Sequence, residues 1–278
     1  MEQSSGANLL PCLAVDCPRG RRTTPAEESL AGRELMTIQH IGIVACSAPG
    51  AALCYETICV EASQVMGRHH NPEVSLHAVD FAEHMRCVEQ DDWDGVAKLI
   101  LASAKKLATI GATFVICPDN TAHIAIEKVI PRSPVPWLHI AEAVANEAKV
   151  RGYRRLGLLG TRCLVESAVY PNVLRTAGIE WCLPEPTDRD RINQVIFEEL
   201  VFAKVTAHAK TDFMRIIEDL KSRMDCDAAI LGCTEIPLAV TAETSPLPVL
   251  DSTRLLARAA LKHAVGVFGQ DDTRSQPE

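Results

Sequence analysis

Three segments of this chain occur twice, in the same order and at nearly one spacing. His40-Ile41-Gly42-Ile43-Val44 matches Arg155-Leu156-Gly157-Leu158-Leu159 at an offset of 115. Aligning Ile116 with Ile230, an offset of 114, sets Asp119 opposite Cys233 and Asn120 opposite Thr234. Ser133-Pro134-Val135-Pro136-Trp137-Leu138 matches Ser245-Pro246-Leu247-Pro248-Val249-Leu250 at an offset of 112. Self-similarity of this kind marks a duplicated structural unit. The apolar runs before Asp119 and Cys233 stop abruptly at polar loops, as strands buried in a parallel sheet do. The expected fold is therefore α/β: two pseudosymmetric α/β domains with mainly parallel sheets and a site in the cleft between them. In open sheets, ligands sit outside the carboxyl ends of the strands. Asp119 and Cys233 each follow such a strand, so the duplication would present them from opposite sides of one cleft.

The duplication sets the expected boundaries. Residues 1–35 are rich in Ser, Gly, Pro, Arg and Glu without a period, which reads as a disordered tail. Residues 36–139 form the first α/β domain and 140–250 the second. The helix at 251–268 is expected to pack back on the first, and 269–278 is a tail. Met36, just before the first strand, reads as the start of the folded unit. A net charge of −8 disfavours nucleic acid or an anionic membrane as partner. No apolar run approaches the ~20 residues of a membrane span. Eleven cysteines without a C-x-x-C pair, and without a signal peptide before them, indicate a reducing cytoplasmic setting.

Helices are expected at 51–66, 93–110, 121–129, 140–151, 170–177 and 211–224. Asp188 is read as the cap of a helix running to Leu200, and Asp251 as the cap of the last helix. The loop Cys46-Ser47-Ala48-Pro49-Gly50, with its hydroxyl and glycine at a strand-to-helix turn, can hold an anion, which makes Ser47 a substrate-binding candidate. A helix beginning at Thr121 would bring free N–H groups and a positive dipole end to the Asp119 loop. His77 and His84, with Cys87 beyond, are read as solvated or packed residues and not as a metal site. There is no G-x-G-x-x-G and no lysine placed as a pyridoxal anchor, so no cofactor is expected.

A carboxylate and a thiol on opposite sides of a cleft suit removal of a proton from one face of a carbon and delivery to the other. A carbanion formed in this way needs donors beside its carboxylate, and Asn120, Thr121 and Thr234 stand next to the strand ends. A cysteine of ordinary pKa is only about 3% thiolate at pH 7 and an ordinary aspartate only about 0.1% protonated. The resting pair then makes Asp119 the base and Cys233 the acid in one direction.

Asn120-Thr121-Ala122-His123, Gly157-Leu158-Leu159-Gly160-Thr161-Arg162 and Gly232-Cys233-Thr234-Glu235-Ile236-Pro237 resemble the aspartate/glutamate racemase family, over about 36–265 of this chain. The resemblance implies cofactor-independent racemisation of an acidic amino acid, a homodimer, and catalysis by one cysteine in each half. This sequence keeps Cys233 and has Asp119 where the first cysteine usually lies. The resemblance also implies that Glu235 is a substrate or proton-network contact and that Cys233 serves the L-face of the substrate. Thr161 has two readings, a ligand for the substrate carboxylate or a cap for the next helix. Two alternatives to a racemase stay open. One is an isomerase or decarboxylase of a small dicarboxylate that uses Cys233 alone. The other is a non-catalytic binder of acidic metabolites.

Overall fold

The computed structural model describes residues 38–266. The expectations for the two tails and for a start at Met36 lie outside them. Among the described residues, eight strands form two four-stranded sheets in which every pairing is parallel. The first contains β1 (Ile41–Ala45), β2 (Val74–Ala78), β3 (Phe114–Ile116) and β4 (Trp137–Leu138), in the order β2-β1-β3-β4. The second contains β5 (Arg155–Leu159), β6 (Glu180–Cys182), β7 (Ala228–Leu231) and β8 (Val249–Asp251), in the order β6-β5-β7-β8. The register repeats along with the order. Ile41 pairs with Phe114 in the first sheet, and Leu156 with Ala228 in the second. These are the residues that the sequence offsets of 115 and 114 bring into correspondence.

The helices are α1 (Ala48–Met66), α2 (Phe81–Glu89), α3 (Trp93–Thr109), α4 (Ile126–Val129), α5 (Ile140–Val150), α6 (Arg162–Val165), α7 (Val169–Ala177), α8 (Pro186–Glu198), α9 (Ala207–Ser222) and α10 (Ser252–Ala264). They cover both faces of each sheet, which is why the central strands read as unbroken apolar runs. In the first sheet Ile41, Ile43 and Phe114 face α1 and α10, while Val44 and Val115 face the Val96-Ile100-Leu107 stripe of α3. In the second, Leu156, Leu158 and Ile230 face α5 and α7, and Leu159, Ala229 and Leu231 face α9. Successive residues on a strand thus feed opposite cores. The chain returns at its end: Leu256, Ala257, Ala260 and Ala264 of α10 are buried against the first sheet, far from α10 in sequence. Among the described residues, no helix is long and apolar enough to cross a membrane.

Three local expectations are corrected. The helix expected at 121–129 is a 3₁₀ stretch (Thr121–Ala125), the single turn α4, and a second 3₁₀ turn (Ile130–Arg132). Pro131 lacks the N–H that a continuing helix would need. Asp188 is not a cap. Pro186 sets the start of α8 two residues earlier, where a fixed φ suits a first turn, and the Asp188 carboxylate instead binds Arg215. The helix expected at 211–224 begins earlier, because the Thr206 hydroxyl accepts the Ala209 N–H and caps α9. Helix α2 was not expected at all. Its buried stripe is His84, Cys87 and Val88, so a histidine stands where an apolar residue would have revealed the helical period.

Candidate active site

In each sheet the strand order reverses between its two central strands, β1 and β3 or β5 and β7. The connections leaving the carboxyl ends of two such strands run to opposite sides and leave a crevice there. Ser47 follows β1, Asp119 follows β3, Thr161 follows β5 and Cys233 follows β7. The two crevices face each other and form one cleft, lined by Ser47, Asp119, Asn120, Thr121, Thr161, Cys233, Thr234 and Glu235. The residues singled out from the sequence are therefore brought together.

Hydroxyls join the halves twice across this cleft. Ser47 Oγ lies 3.5 Å from Thr234 Oγ1, and Thr121 Oγ1 lies 3.2 Å from Thr161 Oγ1. The halves approach closely enough at α1 that a Cβ on Gly50 would stand 2.7 Å from Thr234 Cβ. Gly232 admits β5 to the other side of the Cys233 turn, where a Cβ would meet the Leu159 carbonyl oxygen at 2.7 Å.

Asp119 combines two roles. Its Oδ1 accepts the Ala122 N–H at 2.9 Å, capping the 3₁₀ stretch, and its Oδ2 lies 3.7 Å from His84 Nε2. Asp119 thus caps the 3₁₀ stretch while also lining the cleft. His84 is buried on α2 and was not recognised from the sequence as part of a site. Burial opposes charge on its ring, but the Cys46 sulfur and the Asp119 carboxylate favour it, and the balance raises its pKa to about 9. Cys46, His84 and Asp119 each offer a donor atom within 4.8 Å of the other two, so these three could hold a metal ion. An ion there would occupy the carboxylate that faces the cleft.

Cys233 Sγ donates to Glu235 Oε2 at 3.0 Å, and the Thr234 hydroxyl donates to the same oxygen at 2.8 Å. Burial, then the Glu235 carboxylate and the hydrogen bond to it, push the thiol well above its ordinary range, and the Asp119 carboxylate is near enough to add to the push. Cys233 is therefore held as a thiol. Thr161 Oγ1 accepts the Leu164 N–H at 3.3 Å, so it caps α6 while also lining the cleft. Asn120 has two structural bonds besides its place in the cleft. Its Nδ2 donates to Ser252 and its Oδ1 accepts from Tyr170, which anchors the amide in the interior. His123 is likewise structural. Its Nδ1–H donates to the Asp119 carbonyl and its Nε2 accepts the Ile140 N–H, while burial pushes its pKa down to about 3. Besides His84, the remaining walls of the cleft are mainly apolar and come from α2, from Cys163 of α6, from α8 and from the segment after α8.

Residues 41–260 match the family model of the Asp/Glu/Hydantoin racemases. The chain belongs to this family. The chain resembles the broad specificity amino-acid racemase RacX of Bacillus subtilis (strain 168). The two are 27% identical over 173 residues, covering 61% of this chain and 73% of that protein. It also resembles the structure of a Yersinia pestis protein described as a candidate Asp/Glu racemase, with a TM-score of 0.75 and 31% identity, covering 82% of this chain and 99% of that one. An aspartate racemase homologue from Pyrococcus horikoshii OT3 aligns with a TM-score of 0.70 and 30% identity over 81% of this chain and 99% of its own. These racemase structures share the architecture of paired α/β sheets described above.

Proposed function

We propose that this chain is a cofactor-independent amino-acid racemase that moves a proton at the α-carbon between Asp119 and Cys233. One observation carries the reading: these two residues, at matching positions of the duplicated halves, line the same cleft as two unlike proton carriers. Asp119 takes the α-proton from one face and Cys233 delivers its thiol proton to the other. The carbanion delocalises into the substrate carboxylate, which the hydroxyls of Ser47, Thr121, Thr161 and Thr234 receive. Glu235, hydrogen-bonded to the sulfur, is the acceptor for the thiol proton when Cys233 must act as the base. The division into domains at 36–139 and 140–250, with the last helix returned to the first, gives each domain one proton carrier. A homodimer in the cytoplasm belongs to the same proposal, and light scattering tests the assembly.

Aspartate and glutamate are the substrates that the resemblance implies, and they belong in the first assay. The protein is incubated in D₂O with each enantiomer separately. Deuterium at the α-carbon with inversion is the expected result; an inert α-proton in every amino acid offered would refute the racemase. The Cys233–Glu235 contact also favours a second reading, single-cysteine isomerisation of a small dicarboxylate, because it gives Cys233 a proton acceptor of its own. Turnover of maleate without amino-acid exchange would support that reading, and stabilisation by a dicarboxylate without any turnover would indicate a binder.

A further inference from the structure

We infer that the substrate side chain accepted by this cleft is uncharged and apolar, of the class of leucine, methionine or phenylalanine. The inference rests on the proton-transfer reading of Asp119 and Cys233 and adds the substrate class to it.

The charges in the lining are the first ground. Asp119 and Glu235 are acidic, His84 is the one lining side chain that can be cationic, and neither lysine nor arginine lines the cleft among the described residues. His84 already faces the Asp119 carboxylate at 3.7 Å. The nearby cations are engaged elsewhere: Arg162, next to Thr161, pairs with Asp190 at 2.6 Å, and the Lys204 ammonium sits 5.9 Å from the Phe202 ring centre. An aspartate or glutamate substrate would bring two carboxylates to this lining. The hydroxyls can receive the one at the α-carbon, and no cation is left for the other. Enclosing an unpaired carboxylate among apolar groups is strongly unfavourable.

The shape of the walls is the second ground. Away from the hydroxyls, the first half contributes Phe81, Met85 and Val88, and the second contributes Ile196, Phe197 and Val201. Phe81 and Phe197 stand at the mouth on opposite halves, with 40% and 37% of their surface in water. A substrate side chain pointing from the α-carbon toward the mouth would lie between these rings and remove both from solvent, the main source of apolar affinity. The same walls disfavour a cationic side chain, since no free carboxylate stands among them.

The test measures α-proton exchange in D₂O by the full-length protein. The substrates are both enantiomers of leucine, methionine, phenylalanine, aspartate, glutamate and lysine. One or more apolar substrates should exceed aspartate and glutamate in kcat/KM by at least about tenfold, the scale on which an apolar pocket discriminates. Fastest exchange with an acidic amino acid, or with lysine, overturns the inference and leaves the racemase reading standing. Absence of exchange with every substrate overturns the racemase reading instead. The side-chain preference is then judged by calorimetric titration of Cys233→Ala with leucine and with glutamate, where tighter glutamate binding overturns it. Phe197→Arg places a cation on the wall at a partly exposed position. It should move the preference toward glutamate by about tenfold or more, while Phe197→Leu should keep the original order. Equal selectivity in wild type and Phe197→Arg would count against a substrate side chain lying on this wall.

Discussion

At the scale of single residues the pair Asp119 and Cys233 is asymmetric, and the asymmetry is testable. Cys233→Ala should abolish racemisation, by about a hundredfold or more, because no neighbouring group has both its position and its proton, and any deuterium taken up through Asp119 enters without inversion. Asp119→Asn should keep ligand binding and lose racemisation, while any deuterium taken up through Cys233 enters without inversion; polarimetry and mass spectrometry on one sample separate the two. The pH profile follows from the thiol. The proton that the pair needs is held on Cys233, whose pKa is pushed well above its ordinary value. Activity should therefore stay level past pH 8.5, where an ordinary thiol would lose that proton. The first alkaline decline should come near pH 9, as His84 loses its charge beside Asp119. His84→Asn should remove that step, and a profile unchanged by this substitution would rule His84 out as its source. The residues at strand ends were legible in the sequence because each sits at the abrupt end of an apolar run. His84, Phe81 and Phe197 were not, because they reach the cleft from helix surfaces whose orientation depends on packing between segments distant in sequence.

At the scale of elements, the loop carrying Asp119 is fixed by His123, which links it to the start of α5. This bond pattern requires a neutral ring with its proton on Nδ1. Its pKa falls to about 3 in the folded protein, against about 6.5 for an unfolded chain. The unfolded state therefore binds a proton first as pH drops, and stability present above about 6.5 is lost progressively toward 3, by on the order of a few kcal/mol. His139, whose ring lies 4.7 Å from that of His123 and whose pKa burial lowers to about 4, adds to the same acid limb. His84 has the opposite sign: its raised pKa stabilises the fold most below 6.5, and that contribution is lost as pH rises through 9. Denaturant melts at pH 4.5, 7 and 9.5 on wild type, His123→Gln and His84→Asn check both limbs. A shallower acid limb is expected in the first variant and a shallower alkaline limb in the second. The central strands β1, β3, β5 and β7 were legible in the sequence, since burial on both faces leaves a continuous apolar signal. The 3₁₀ path after Asp119 was not, because the hydrogen bonds of His123 that shape it are tertiary.

At the scale of the whole molecule, the duplicated halves meet where α1 touches Thr234. Gly50→Ala would place a methyl 2.7 Å from the Thr234 side chain, and relief requires a shift of one half against the other. Overpacking of this kind costs about 1–3 kcal/mol. Because Thr234 shares the Glu235 oxygen with Cys233, kcat should fall by about tenfold or more while the fold survives. Thermal melts paired with kinetics check this, and unaltered kcat would mean that the halves adjust freely. The two halves share one topology, yet one carries a carboxylate and the other a thiol. Mirror-image amino acids have identical free energies in water, so no arrangement of the two carriers can favour one enantiomer at equilibrium, and kcat/KM must be the same from either side. The inequality has to appear elsewhere. Each D-to-L turnover leaves the proton on the carboxylate and the charge on sulfur, and the empty enzyme must reverse that before it can begin again in the same direction. The unlike halves thus turn the interval between turnovers into a step of the cycle, one that a matched thiol pair, as in Asp119→Cys, would shorten.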